Sequence, residues 1–141
     1  MQLDGWLLLY IGITENLRSR INGKHINGSV GNSTLRKSLA TLLHKNLNLQ
    51  LRPVGTQQKK DFALDHPSEN RLTEWIIQNA RVAFITNKNP WESEDANLEK
   101  YGQYLILNIE KNPNNPFGEQ LRLMRKSCCM EAWKSSTAAG Q

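Results

Sequence analysis

A tyrosine and an arginine near the start of the chain have the chemistry and spacing to meet at a bound phosphate. Tyr10 closes an apolar run just before Gly12, and Arg20 comes three residues after Leu17 on a predicted helix. The planar guanidinium of arginine grips phosphate oxygens with two hydrogen bonds, and it keeps its charge at any physiological pH. In the alternative interpretation, Tyr10 only anchors the edge of a sheet, as tyrosines in strands commonly do.

Glu94 is an acid on the apolar side of a predicted helix. At about 100° per residue, Trp91, Leu98 and Tyr101 share one face, and Glu94 falls among them. A carboxylate in an apolar setting is costly unless it is paired. The partner could be a metal ion, or it could be one of the many basic residues in a salt bridge. Asp95 is the nearest alternative acid.

His25 follows the first predicted helix and has basic neighbours in the sequence. Nearby positive charge should lower the pKa of this imidazole, so that it is neutral at pH 7 and able to accept a proton from water. A histidine of this kind is also compatible with a simple surface position. The other two histidines are assigned no role.

Basic residues are concentrated in one part of the chain. The net charge is +5, yet residues 16–60 contain nine basic residues and no acid. A region of this charge favours a polyanionic partner, most simply nucleic acid, although a solvated basic surface is the alternative. Arg18, Lys24, Arg36 and Lys37 are the candidate nucleic-acid contacts.

Composition excludes several classes of protein. The apolar runs are too short for a membrane span, and no secretory signal begins the chain. Cys128 and Cys129 are adjacent and therefore pair poorly, which predicts two reduced thiols in a cytoplasmic protein. Cysteine and histidine spacings exclude a zinc finger.

Apolar periodicity predicts a small sheet covered by helices. Strands are predicted over 6–11, 81–86 and 104–109, with 47–51 as either a strand or a helix exit. A long polar loop is predicted over 52–68. Helices are predicted after Thr14, after Ser33, around residues 72–76, from Pro90 to Tyr101 and from Gly118 to about Trp133, followed by a disordered tail.

Together these residues resemble the GIY-YIG nuclease family over roughly residues 6–117. The likeness rests on Tyr10-Ile11-Gly12, on Arg20 ten positions later with a histidine shortly after, and on "NLRSRI" following "YIGIT". Glu94 on a helix and Asn108 in "ILN" match further positions of the family. The resemblance implies an α/β (α+β) fold with a small, mostly antiparallel three-stranded sheet flanked by helices. It divides the chain into a nuclease domain over 1–117 and a C-terminal helix with its tail over 118–141.

The resemblance also implies roles for these residues in cutting DNA with one Mg²⁺ or Mn²⁺ ion. Glu94 would bind the metal and Asn108 would support the metal site. Arg20 would neutralise charge on the phosphate, and Tyr10 or His25 would position or deprotonate the attacking water.

Two features depart from the family pattern. The first Gly-Ile-Tyr strand is expected to be short or missing, since only nine residues precede Tyr10. That would leave an open sheet edge through which the chain could self-associate. In addition, His25 stands five residues after Arg20, one more than usual, and Lys24 occupies the usual position.

Three functions fit these observations. The first is a divalent-metal-dependent DNA endonuclease with Tyr10, Arg20 and His25 as catalytic residues. The second is a nucleic-acid-binding module of the same fold with impaired catalysis. The third is an interaction protein whose open sheet edge recruits another strand.

Overall fold

The computed structural model describes residues 2–3, 5–86, 88–101, 107 and 116–138. These residues form a mixed α+β fold, so the predicted fold class is confirmed, with a reduced sheet: the described strands make two separate two-stranded antiparallel sheets in place of one with three strands. The elements in chain order are β1 Gln2–Leu3, β2 Trp6–Leu7, a π-helix Ser19–Ile26, α1 Thr34–Leu43, β3 Leu51–Gly55, β4 Lys60–Leu64, α2 His66–Asn79, α3 Pro90–Tyr101 and α4 Pro116–Ala138.

A short strand does precede the Tyr-Ile-Gly segment. β1 pairs antiparallel with β2, so that Gln2 faces Leu7 and Leu3 faces Trp6. The strand expected before Tyr-Ile-Gly is therefore short in this chain rather than missing. Beyond β2 the segment continues towards Tyr10 without strand pairing of its own in the described residues.

The second hairpin corrects the sequence prediction. The polar composition of residues 52–68 predicts a loop, but β3 and β4 form an antiparallel pair in which Leu51 faces Leu64 and Gly55 faces Lys60. Gly55 has φ +94°, and a Cβ there would lie 2.2 Å from the Lys59 carbonyl oxygen, so the turn requires glycine. Few apolar side chains mark the hairpin in the sequence: Phe62 and Leu64 are buried in the core, and Leu51 and Ala63 are partly buried against it.

Two other predicted strands have different outcomes. Residues 81–86 belong to no strand, and Val82, Phe84 and Ile85 are exposed, so that prediction is wrong. The predicted strand over 104–109 lies outside the described residues except for Leu107. The N–H of Leu107, which is buried, donates to the Leu9 carbonyl at 3.3 Å.

Helix starts follow capping chemistry. The Ser33 hydroxyl accepts from the Arg36 N–H at 3.2 Å and begins α1, as predicted. Asp65 accepts from the Ser68 N–H at 2.9 Å and begins α2. The first helical turn is capped by Asn16, whose Oδ1 accepts from the Ser19 N–H at 2.9 Å; Thr14 is not the cap.

The long helix α4 closes the core. It extends to Ala138, so the predicted disorder from residue 134 is wrong as far as the described residues go. The indole N–H of Trp133 donates to the Asp61 carbonyl at 3.0 Å, tying α4 to the second hairpin. α4 also packs against α1. The buried apolar side chains of the core are Val30, Leu39, Ala40, Leu49, Phe62, Leu64, Leu72, Ile76, Leu107, Leu121, Cys128 and Ala132.

The cysteines and the apolar content of the helices are the basis of two predictions from composition. Cys128 and Cys129 are both free thiols, and burial raises the pKa of Cys128 to about 11. No helix in the described ranges is long and apolar enough to cross a membrane.

Candidate active site

Tyr10 and Arg20 are in direct contact, as the sequence predicted. The Arg20 Nη2 donates to the Tyr10 hydroxyl at 3.1 Å in a partly buried setting. Arg20 reaches this position from the helical turn that Asn16 caps. The contact fixes one edge of the guanidinium and orients the phenol.

Gly12 explains why the motif needs a glycine two residues after the tyrosine. The Tyr10 ring folds back over it, and a Cβ at residue 12 would lie 2.8 Å from Tyr10 Cε1 and 3.0 Å from its hydroxyl oxygen. Carbon atoms do not approach this closely, so a side chain here would displace the phenol. The Tyr-Ile-Gly spacing is thus a packing requirement of the tyrosine itself.

The Arg20 guanidinium retains hydrogen-bonding capacity. Its Nε–H is buried and has no acceptor among the described residues. A buried donor left without an acceptor costs free energy, which an anionic oxygen at the guanidinium would recover. The Nε atoms of Arg36, Arg71 and Arg125 are also buried without an acceptor in the described part of the chain. The contact with Tyr10, and not this donor alone, therefore distinguishes Arg20.

His25 completes a group of three contacting side chains. Its ring meets the Tyr10 ring edge-on, with centroids 5.9 Å apart and planes at 76°. Its Nδ1 lies 2.9 Å from the Ser33 hydroxyl oxygen. When Nδ1–H donates to this oxygen, Nε2 keeps its lone pair and is able to accept a proton.

Burial lowers the pKa of His25 to about 4, and the positive charges of Arg20, Lys24 and Arg36 act in the same direction. The predicted direction is confirmed, although burial contributes more than the basic neighbours on which the prediction rested. The imidazole is therefore neutral at pH 7.

Glu94 is buried on α3, with 4% of its surface exposed, whereas Asp95 is exposed. The first turn of α3 forms one wall of a cleft of about 340 Å³, lined by Ile13, Thr14, Glu15, Asn16, Pro90 and Trp91. Glu94 lies one helical turn after Pro90 but is not among the residues that line this cleft. The opposite wall is the loop that follows Tyr-Ile-Gly.

A single buried carboxylate fits one type of metal site. Among the residues that the structure describes, no three or more His, Cys, Asp or Glu side chains converge as a metal cage. Magnesium is commonly held by one or two carboxylates while it keeps several waters. Glu94 is compatible with that mode of binding. Asn108, the predicted support of the metal site, lies outside the described residues.

Arg36 corrects the predicted nucleic-acid contacts. Its side chain is fully buried and forms a 2.7 Å ion pair with Glu69, so it cannot reach a nucleic acid from the surface. Lys37 already has partners within the protein, because its ammonium pairs with Asp61 and lies 5.2 Å from the centroid of the Phe62 ring. Sequence reasoning treated both as surface charges.

Arg18 and Lys24 are exposed, and their contact with nucleic acid stays a prediction. Sequence reasoning also missed the contact of Ser33 with His25. The sequence predicts this serine only as a helix cap, and it contains no signal for the second contact.

Comparison with known families gives one match. Residues 2–127 match the family model described as the GIY-YIG catalytic domain. Searches of curated proteins and of solved structures find no match to the chain.

Proposed function

Since the chain belongs to the GIY-YIG catalytic domain family, a nuclease family, we propose that it is an endonuclease that hydrolyses phosphodiester bonds in DNA with one divalent metal ion. The observation that carries this proposal is the contact of Tyr10, Arg20 and His25. A fixed arginine, an oriented phenol and a neutral imidazole are suited to phosphodiester hydrolysis.

Arg20 would bind the scissile phosphate through its guanidinium. The negative charge that builds on the phosphate during attack is stabilised by a cation that is already in position. Tyr10 would hold the guanidinium in that orientation through its hydroxyl. Loss of Arg20 should therefore remove stabilisation that is strongest in the transition state.

His25 would accept a proton from the attacking water at Nε2. With a pKa of about 4 it is a weak base in the free protein. A phosphate bound to Arg20 brings negative charge next to the imidazole, which raises its pKa towards the range in which general bases work well. In this proposal substrate binding itself makes the base effective, and Tyr10 is the alternative group for activating the water.

Glu94 would hold the metal ion. A bound Mg²⁺ or Mn²⁺ stabilises the leaving oxygen of a phosphodiester. The chain would contribute the buried Glu94 carboxylate, with Asn108 as its support, and most of the remaining coordination positions would be filled by water and substrate oxygens.

Arg18 and Lys24 would contact the DNA backbone. Both are exposed, and they lie on the same helical segment as Arg20. Such contacts depend on charge and do not read the sequence of the bases. They would supply a sequence-independent, salt-sensitive part of the affinity.

The test is nicking of supercoiled plasmid with Mg²⁺ or Mn²⁺, comparing wild type with the Arg20→Ala and Glu94→Gln variants. Both substitutions should reduce cleavage at least about 100-fold, the scale measured for loss of one charge-stabilising group. Glu92→Gln is the matched control for Glu94→Gln, because Glu92 is an exposed acid on the same helix. It should cut at the wild-type rate.

Two outcomes would contradict the proposal. Equal cleavage by Glu94→Gln and wild type would show that Glu94 does not bind the catalytic metal. If folded wild-type protein shifts DNA on a gel but cuts none with either metal, the chain is a nucleic-acid-binding module of the same fold.

A further inference from the structure

The helix that carries Arg20 and His25 has an unusual register. Over Ser19–Ile26 it is a π-helix, and it ends with the Asn27 N–H donating to the Asn22 carbonyl, five residues earlier, at 2.9 Å. In an α-helix, a residue five positions along the chain lies on a different side of the helix from the first; the wider turn of a π-helix, hydrogen-bonded across five residues, brings it round to the same side, next to the residue four positions along.

This register selects which side chain reaches Tyr10. His25, five residues after Arg20, is half-buried and contacts Tyr10, while Lys24, four residues after Arg20, is exposed. In an ordinary α-helix residue 24 would take the place one turn beyond Arg20. The π-helix therefore accounts for the extra residue in the spacing between the arginine and the histidine.

The end of the π-helix is held by the buried Arg36 side chain. Its Nη1 donates to the carbonyl oxygens of His25 at 3.0 Å and Ile26 at 2.8 Å. Its Nη2 donates to the Glu69 carbonyl at 3.1 Å and to the Glu69 carboxylate at 2.7 Å. One rigid guanidinium thus fixes the last carbonyls of the π-helix relative to α2.

Neighbouring groups complete this support. The Thr73 hydroxyl donates to the Ile26 carbonyl at 2.9 Å, and the second Glu69 carboxylate oxygen accepts from the Val30 N–H at 2.9 Å. Arg36 Nη1 also donates to the Thr73 hydroxyl at 3.1 Å. The chain leaving the π-helix is held at several successive points.

We propose that Arg36 is a positioning residue that fixes the π-helical register, and that this register brings His25, rather than Lys24, against Tyr10. Arg36 itself touches no substrate. Its effect on catalysis rests on the proposed nuclease function, whereas its effect on the register can be measured without any cleavage.

The register is tested by NMR on the Lys24→His variant, which places two histidines side by side at little structural cost because residue 24 is exposed. His25 should titrate near 4 and show an NOE to the Tyr10 ring. The histidine introduced by the substitution should titrate near the ordinary value of about 6.5 and lack that NOE. The reverse assignment of the two histidines would overturn the proposal.

The role of Arg36 is tested by the paired variant Arg36→Met/Glu69→Gln, which removes both buried charges so that neither is left unpaired. The NOE between the Tyr10 and His25 rings should disappear, and the Asn27 amide should exchange faster. Removing the positive charge alone could raise the pKa of His25, but it would not separate the two rings. The NOE therefore distinguishes positioning from electrostatics.

Arg125→Met is the control, because Arg125 is a partly buried arginine whose side chain donates to Ser38 of α1 at 2.6 Å. It should keep the ring NOE. If the paired variant fails to fold, Arg36→Lys keeps the charge without the planar fork, and the NOE should then weaken. A folded paired variant, or a folded lysine variant, with the full NOE would refute the role of Arg36.

Cleavage assays connect the register to catalysis. His25→Gln should lose plasmid nicking, and Lys24→His/His25→Gln should not regain it, because residue 24 is exposed and residue 25 is the one in contact with Tyr10. Recovery of nicking in the double variant would contradict the proposed register. If wild type does not cut at all, the proposed function fails while the NMR result still decides the register.

Discussion

The stability of the fold should depend on pH through His25. In the folded protein the pKa of this imidazole lies at about 4, compared with the ordinary value of 6.5. The folded state therefore binds the proton less tightly than the unfolded chain does. The contribution of the neutral imidazole is fully present above pH 6.5 and is lost as the pH falls through this window to about 4.

The size of this effect follows from the shift. One pKa unit corresponds to about 1.4 kcal/mol, so the full shift sets a ceiling of about 3 kcal/mol. His25 is only half-buried, and solvent screens part of its interaction with the surrounding charges. We therefore expect this residue to account for a loss of about 1–2 kcal/mol in unfolding free energy between pH 7 and pH 4.

Urea unfolding followed by circular dichroism at pH 7, 6, 5 and 4 measures the effect. Wild type should lose more unfolding free energy than His25→Gln across this range, because glutamine does not titrate. Carboxylates titrate in both proteins and cancel in the comparison. His66→Gln is the matched control, since His66 is exposed, and it should follow the wild-type pH dependence.

Parallel pH curves for wild type and His25→Gln would refute this reasoning. A second refutation would come from an NMR titration that places the pKa of His25 near the ordinary value of about 6.5 in the folded protein. Either result would mean that the imidazole is not held between Tyr10 and Ser33 in solution.

Two further predictions follow from the packing and charge of the site. Gly12→Ala should remove the Tyr10–His25 NOE and reduce nicking, since its Cβ would meet Tyr10 Cε1 at 2.8 Å; Gly23→Ala, whose nearest neighbouring atom is 3.9 Å away, should change neither. The Arg18→Ala/Lys24→Ala variant should bind DNA more weakly in gel shifts at several salt concentrations. In a plot of the logarithm of the binding constant against the logarithm of salt concentration, the slope should be less negative than that of wild type by about 2, because each substitution removes one phosphate interaction. An unchanged slope would show that neither residue contacts a phosphate.

Local signals in the sequence were sufficient for part of the fold. Ser33 precedes an amphipathic run and caps α1 through a hydrogen bond within one turn, so the start of that helix can be predicted from the sequence. The hairpin of β3 and β4 could not be predicted in this way, because Lys59 and Lys60 give its turn and second strand the composition of a solvated loop. Residues 81–86 show the opposite error, since apolar alternation does not itself supply a pairing partner.

The candidate site was predictable only where a motif fixes it. The spacing of Tyr10 and Arg20 predicts that their side chains meet, and they do. The positions of Arg36 and Ser33 depend on interactions between segments distant in sequence. The residue type alone does not show whether an arginine is buried or exposed. No residue preference in the sequence predicts the π-helix either.

Helix α4 has a consequence for how the protein folds during its synthesis. Its residues are made after all the other elements, yet Leu121, Cys128 and Ala132 complete the core. The hydrogen bond from Arg125 to Ser38 spans 87 positions of the chain. The emerging polypeptide therefore exposes the apolar faces of α1 and the second hairpin until α4 leaves the ribosome. Chaperone binding to nascent chains should fall at that stage of translation.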